Sequence, residues 1–296
     1  MDYDPMLSTT LILQALISGI LASGLYALVS VGLALAIGVI GIVNFAHGEL
    51  FMVGAFLAYQ LFVYFGFDPL VSLLPVALML FILGIIVYQS SIRFVLKAPE
   101  LNQMLLTFGV SIILQNLALL IWGGDPRSIS QVPYRSFGFQ LGDISIGAVP
   151  LISFSISVLL VGLLYYLLLK TSLGKAMRAV AQNRTGAALV GLEVNRIYLI
   201  AFGLSAALAG LGGVMIAVIQ SPSPTVGFAF TLKAFAIVVL AGLGNIRGIL
   251  WASLLVALAE SLVATLVPDG DAIRNAVFFA IIFAVLIFRS RREGGM

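Results

Sequence analysis

Four ionisable residues stand inside or beside long apolar stretches, and these are where the chain could do chemistry: His47, Glu49, Lys233 and Glu260. His47 and Glu49 flank Gly48, just after the run Gly41-Ile42-Val43-Asn44-Phe45-Ala46. Two readings fit that spacing. In one, the pair lines or gates a water-filled path, since an ionisable group inside a bilayer is costly and usually functional. In the other, the break lies at a membrane interface. Glu49 then favours the N-terminus of the next helix, while Asn44 and His47 satisfy frayed backbone groups. Lys233 and Glu260 are better placed to be intramembrane, where they either pair or reach separately to the nearer interface. Asn245, in the similar run Gly242-Leu243-Gly244-Asn245-Ile246-Arg247-Gly248, completes the candidate translocation-path set. A proton-coupled carrier would normally show several mid-span carboxylates, and Glu260 alone is thin support for one.

The chain carries no G-x-x-x-x-G-K-[ST] phosphate loop, no H-E-x-x-H helix and no G-x-S-x-G turn. It therefore reads as a non-enzyme with no catalytic residue and no cofactor of its own, and any ATP hydrolysis belongs to a separate chain. With one histidine and no cysteine, neither a metal site nor a disulfide framework is expected.

A second informative stretch is the polar, basic loop at about 171–196. It holds Arg178 and Arg184, then Thr185-Gly186-Ala187-Ala188-Leu189-Val190-Gly191-Leu192, which reads as a short small-residue helix outside the bilayer. Such a helix can seat in a cleft of a partner protein. A plain positive-inside anchor would need the charges but not the Ala-Ala-x-x-Gly segment.

These residues need a scaffold, and composition decides its class. Of 296 residues, 61% are hydrophobic and 9% charged, and the mean hydropathy is +1.17. An average soluble domain carries about 25% charged residues. An ordinary soluble enzyme, a disordered chain and a collagen-like fibre are excluded, leaving an all-α polytopic membrane protein. The net charge of +3 reflects basic residues at segment ends rather than a nucleic-acid surface. The acidic start Met1-Asp2-Tyr3-Asp4-Pro5 is unlike a signal peptide, so no cleavage is expected.

Spans are predicted near 8–29, 31–43, 49–66, 70–96, 101–122, 148–169, 197–219, 228–244, 249–267 and 273–288. That gives eight to ten helices, some short or broken, in one permease domain over 1–296. Lys and Arg set orientation. The loop 170–196, the cluster Arg93 and Lys97, and the tail Arg289, Arg291 and Arg292 are predicted to be cytoplasmic. The 123–147 connection and the turns at Asp68 and at Asp269 and Asp271 are predicted to lie outside. The side of the N-terminus depends on whether 31–43 crosses or only dips in. The two glycine-interrupted runs after short helices hint at an internal repeat, a pointer to translocation sites. The run Gly203–Gly213 offers small-xxx-small pairs for close helix packing.

Residues 24–58, from Gly24-Leu25-Tyr26-Ala27-Leu28 through Ile42-Val43-Asn44-Phe45-Ala46-His47-Gly48-Glu49 to Gly54-Ala55-Phe56, resemble the N-terminal signature of the LivH-type permeases. These are inner-membrane subunits of branched-chain amino acid ABC importers. Leu106-Thr107-Phe108-Gly109-Val110-Ser111, the segment 172–192 and Gly242–Gly248 resemble the same family. The resemblance implies a homologous permease partner, in a homo- or heterodimer. It also implies two ATP-binding cassette ATPases and a periplasmic protein delivering Leu, Ile or Val, in a bacterial or archaeal inner membrane with the C-terminus cytoplasmic. It implies that 172–192 is the coupling segment, with Arg178, Arg184, Ala187, Ala188 and Gly191 at the ATPase. Gly186 stands where the wider consensus has Glu, so shape and backbone fit replace an acid-mediated contact. The alternatives are a urea or short-amide permease of the same family and, in another class, a self-sufficient secondary transporter or channel.

Overall fold

Pro5 to Ile40 is one helix, α1, of 36 residues. The structure, a computed structural model, describes residues 5–129, 131–242 and 244–267, with residues 270, 278–280 and 283. The expected pair of spans at 8–29 and 31–43 is therefore corrected to a single one. After Pro5 the segment holds no proline, and its glycines serve packing rather than breakage. Gly19 lies against Leu258, Gly24 against Phe154, and Gly32 against His47 and Leu208. At 1.5 Å per residue α1 is about 54 Å long, well beyond a hydrocarbon core of about 30 Å.

The chain continues as α2 (His47–Phe65), α3 (Pro69–Val87), a π turn (Tyr88–Ile92) and α4 (Arg93–Val95). Asp68 caps α3 by accepting from the Leu70 backbone N–H at 2.8 Å, with Pro69 at the first helical position, where its missing N–H does no harm. Next come α5 (Glu100–Trp122), the 123–147 connection with a hairpin of β1 (Gly138–Leu141) and β2 (Ile144–Gly147), and α6 (Ala148–Lys170). Two short helices follow, α7 (Ser172–Gln182) and α8 (Arg184–Leu189), then α9 (Val194–Ile219), α10 (Val226–Ala241) and α11 (Ile246–Leu266). Seven of the helices among the described residues are long and apolar enough to cross a membrane, and α10 is a shorter apolar helix. The all-α polytopic class stands. The expected span 273–288, Asp269, Asp271 and the basic tail lie largely or wholly outside the described residues.

The hairpin lies at one end of the bundle, beside the N-terminal part of α1, where Gln14 exchanges hydrogen bonds with the Ser145 backbone. The basic segment of α7 and α8 lies at the other end, beside Val31 to Val39 of α1. The start of α1 is thus at the same end of the bundle as the 123–147 connection.

α9 is the central element, buried along nearly its whole length. Its small residues admit two neighbours at backbone distance. Gly210 meets Gly54 of α2 and Leu80 of α3, Gly213 meets Phe51 and Ala55 of α2, and Gly203 and Ala206 meet Phe81 and Gly84 of α3. Without a hydrophobic drive between helices in lipid, such close approach supplies the dispersion energy. The packing reading of Gly203–Gly213 is what the structure shows.

Candidate functional site: a buried helix break and a cavity at the hairpin end

Between α1 and α2 the backbone leaves helical geometry over residues 41–46. Gly41 takes φ +82°, a conformation open to glycine at little cost. The chain then turns back into the bundle, because the His47 ring sits on the Val29 carbonyl. Val29 lies 11 residues before the end of α1, or about 16 Å at 1.5 Å per residue. Non-helical backbone at membrane depth is tolerated only where protein satisfies it, and here the partners are identifiable. Thr107 Oγ1 donates to the Val43 carbonyl at 3.2 Å. Thr231 Oγ1 donates to the Phe45 carbonyl at 3.2 Å and accepts from the Gly48 N–H at 2.8 Å. Asn44 Oδ1 accepts from the Ala46 N–H at 3.0 Å.

His47 and Glu49 have no solvent exposure, and Asn44 has 1%. The break is therefore buried within the bundle, while the capping part of the second reading is present, with Asn44 satisfying the Ala46 N–H and Glu49 in the first turn of α2. The Val29 carbonyl can only accept, so His47 Nε2 carries the proton of that 2.9 Å bond, and Nδ1 faces the Ser205 hydroxyl at 3.5 Å. Ser205 itself donates to the Gly32 carbonyl at 2.7 Å. Glu49 Oε1 accepts from Ser111 Oγ at 3.2 Å, and Oε2 lies against Gly227 in the first turn of α10. Glu49 is also in the first turn of α2. One carboxyl group thus stands where two helix N-termini meet, and the positive ends of both dipoles favour a negative charge there.

The second group lies one turn along α1. Lys233 Nζ bridges Glu260 Oε1 at 2.8 Å and Oε2 at 2.9 Å, and donates to Tyr26 Oη at 3.0 Å. Tyr26 donates to Glu260 Oε2 at 2.6 Å. Of the two readings, pairing is the one observed. The Lys233 side chain is 11% exposed and that of Glu260 1%. Tyr26 and Lys233 of this group line the floor of a cavity of about 590 Å³ between α1, α9, α10, α11 and the hairpin. Polar groups around it include Gln14, Ser18, Gln220 and Ser261. With one cation paired to one anion, the floor is polar but formally neutral.

Asn44, His47 and Glu49 are not among the residues lining this cavity. Asn245 is separate again, exposed at the basic end, where it caps α11 by accepting from the Gly248 N–H at 3.0 Å. The two glycine-rich breaks thus differ: the first is buried, the second is a surface cap. The sequence reading missed Tyr26, Thr231 and Ser205. Their only signal was a hydrogen-bonding side chain in an apolar helix.

At the basic end, Thr171 caps α7 by accepting from Gly174 N–H, and Asn183 caps α8 by accepting from Gly186 N–H. The expected short helix at 185–192 is present as α8. Ala187 packs inward while Ala188 is exposed, and Leu189 and Val190 are 84% and 78% exposed. Gly191 turns the chain with φ +85°. Arg178 donates to the Leu168 carbonyl, and Arg184 lies over the Tyr198 ring at 5.4 Å. Among the described residues no group of three or more His, Cys, Asp or Glu is placed to hold a metal.

Residues 15–286 match the family described as "Branched-chain amino acid transport system / permease component". The chain belongs to that permease family. Similar proteins include the high-affinity branched-chain amino acid transport system permease protein BraD of Pseudomonas aeruginosa, 30% identical over 94% of each chain. The LivH permease of Escherichia coli is 27% identical over 93% of this chain and 92% of its own. The LivM permease of the same organism is 29% identical over 80% of this chain and 61% of its own length. No solved structure matches the chain. The family match covers the buried break, all but Gln14 of the cavity lining and the α7–α8 segment together.

Proposed function

We propose that this permease forms the translocation path for branched aliphatic amino acids in an ATP-driven importer of the inner membrane. The observation that carries this reading is the full-length likeness to BraD and LivH. A neutral polar floor suits it, because a zwitterion's charges cancel, whereas an isolated ion would need fixed counter-charges to offset lost hydration. Two ATPases on separate chains dock on the α7–α8 tip, presented at the basic, cytoplasmic end with the C-terminus. A periplasmic binding protein delivers substrate to the cavity at the opposite end. The likeness to LivM as well as LivH supports pairing with a second, homologous permease. The test is uptake of labelled leucine and labelled urea by the reconstituted complex with its cognate binding protein. Leucine uptake that depends on ATP is expected, and urea uptake without leucine uptake would overturn the substrate assignment.

A further inference from the structure

A groove runs down the outside of the bundle between α6 and α11, over α1, away from the cavity at the hairpin end. It is made of three cavities joined end to end. The one at the basic end, of about 360 Å³, has a floor of Leu35, Leu164 and Leu168 and has Arg178 and Arg247 among its lining residues. It shares Tyr165, Ile246 and Arg247 with a middle cavity of about 310 Å³. The middle one shares Val158, Val161 and Leu250 with a third, of about 460 Å³, which reaches Ile20. From Gly38 to Ile20 along α1 the groove is about 27 Å long at 1.5 Å per residue. That is more than the half-thickness of a hydrocarbon core of about 30 Å.

The lining changes character along this length. Above Tyr165 it is mostly aliphatic and aromatic, with serine hydroxyls at its deep edge. At the basic end both guanidinium groups are exposed. Arg247 donates to Tyr165 Oη at 3.3 Å, Arg178 to the Leu168 carbonyl. The ion pair found among the described residues is Lys233 with Glu260, so neither arginine is matched by an acid there. A Cβ added at Gly162, in the middle cavity, would meet nothing within 4 Å. The space is lateral and open rather than a packing seam between helices.

We propose that this groove holds one anionic phospholipid of the leaflet at the basic end. Its phosphate is bound by Arg247 and Arg178, and one acyl chain lies along α1 between α6 and α11. The match is of charge and of polarity along one axis: two arginines with no acid beside them among the described residues, at the basic end of an apolar channel along α1. Basic pockets between membrane helices on the cytoplasmic side bind such headgroups. The proposal does not depend on what the permease transports.

The test places the full-length chain, in its complex, in nanodiscs of equal phosphatidylglycerol and phosphatidylcholine, strips loose lipid with detergent and counts retained lipid by native mass spectrometry. Wild type is expected to keep one phosphatidylglycerol that R247Q keeps about fivefold less well, given the usual contribution of one cation near a membrane surface. R247K should retain it, and G162W, which fills the middle cavity of the channel, should release it. The proposal is overturned by equal retention of the two lipids or by G162W retaining phosphatidylglycerol like wild type. It is equally overturned if a cysteine placed by G162C cross-links to a second permease chain, which would make the groove a protein interface.

Discussion

Gly48 and Gly227 touch backbone to backbone, so that a Cβ on either would overlap the carbonyl oxygen of the other. Through this contact the first turns of α2 and α10 meet inside the bundle, with Glu49 beside them and Thr231 bonded to the Gly48 N–H. Two helix starts that meet inside the bundle give the permease a buried polar junction near the cavity lined by Tyr26 and Lys233.

Substituting alanine at Gly48 or Gly227 forces these two helices apart. Overpacking of this kind costs about 1–3 kcal/mol; at Gly48 the obstacle is the Gly227 carbonyl, which cannot rotate away, and at Gly227 it is the Glu49 carboxyl and then the Gly48 carbonyl. Thermal unfolding of G48A and G227A in detergent should show a clear loss against wild type. G162A, where nothing stands within 4 Å, should not. An unshifted midpoint for both junction variants would show that the contact is loose.

The Lys233–Glu260 pair predicts strong non-additivity. Removing one partner leaves the other charge buried, a loss of about 3–5 kcal/mol, whereas removing both with apolar residues is much milder. K233M and E260L should each unfold earlier than the double variant in a thermal or denaturant series. Additive effects of the two single changes would show that the charges are held independently.

Coupling to the ATPases should run through the exposed tip of α8. Leu189 and Val190 are the side chains presented there, so L189S with V190S should lower ATPase association while leaving membrane insertion and permease pairing intact. A bulky residue at Ala188, which is also exposed, should uncouple uptake. Gly191 is a poorer probe, because any side chain at φ +85° adds about 1–3 kcal/mol of backbone strain. Unchanged co-purification and uptake in the Leu189/Val190 variant would move the docking site elsewhere.

The chain has no cysteine, so single cysteines report accessibility directly. Thiols at 44, 47 and 49 are expected to resist a water-soluble reagent in the resting complex, since those positions are buried. If the break gates the path, they should react during ATP-driven turnover. Silence at all three in every state of the cycle would leave the segment as packing alone.

Class and most span positions were legible because they depend on composition and on runs of apolar residues, which survive projection onto one dimension. The unity of α1 was not legible. An uncharged stretch from Pro5 to Ala46 carries no boundary signal, and glycines at 19, 24 and 32 can mark either a break or a close contact. Only the neighbours Leu258, Phe154 and Leu208 show that they mark contacts. The depth of His47 was hidden for a related reason: a chain that doubles back by six residues looks the same in sequence as one that ends at a surface. Lys233 and Glu260 were visible as isolated charges in apolar segments. Their pairing depends on α10 and α11 lying antiparallel across a tight turn, with Tyr26 of α1 completing the group. Thr231 and Ser205 escaped notice because a hydroxyl in a membrane helix can bond its own helix, and nothing local shows that it serves another segment.

The most direct measurement concerns the cavity above Lys233. In the cysteine-free background S18C places one thiol on the wall of that cavity. Labelled leucine uptake by the reconstituted complex is then followed before and after reaction with a bulky, reducible thiol reagent. If the cavity is the path, uptake should fall at least tenfold after labelling and recover on reduction, while the ATPase remains bound. Undiminished leucine uptake by fully labelled protein would contradict the account, because substrate would then cross by a route that does not include this cavity.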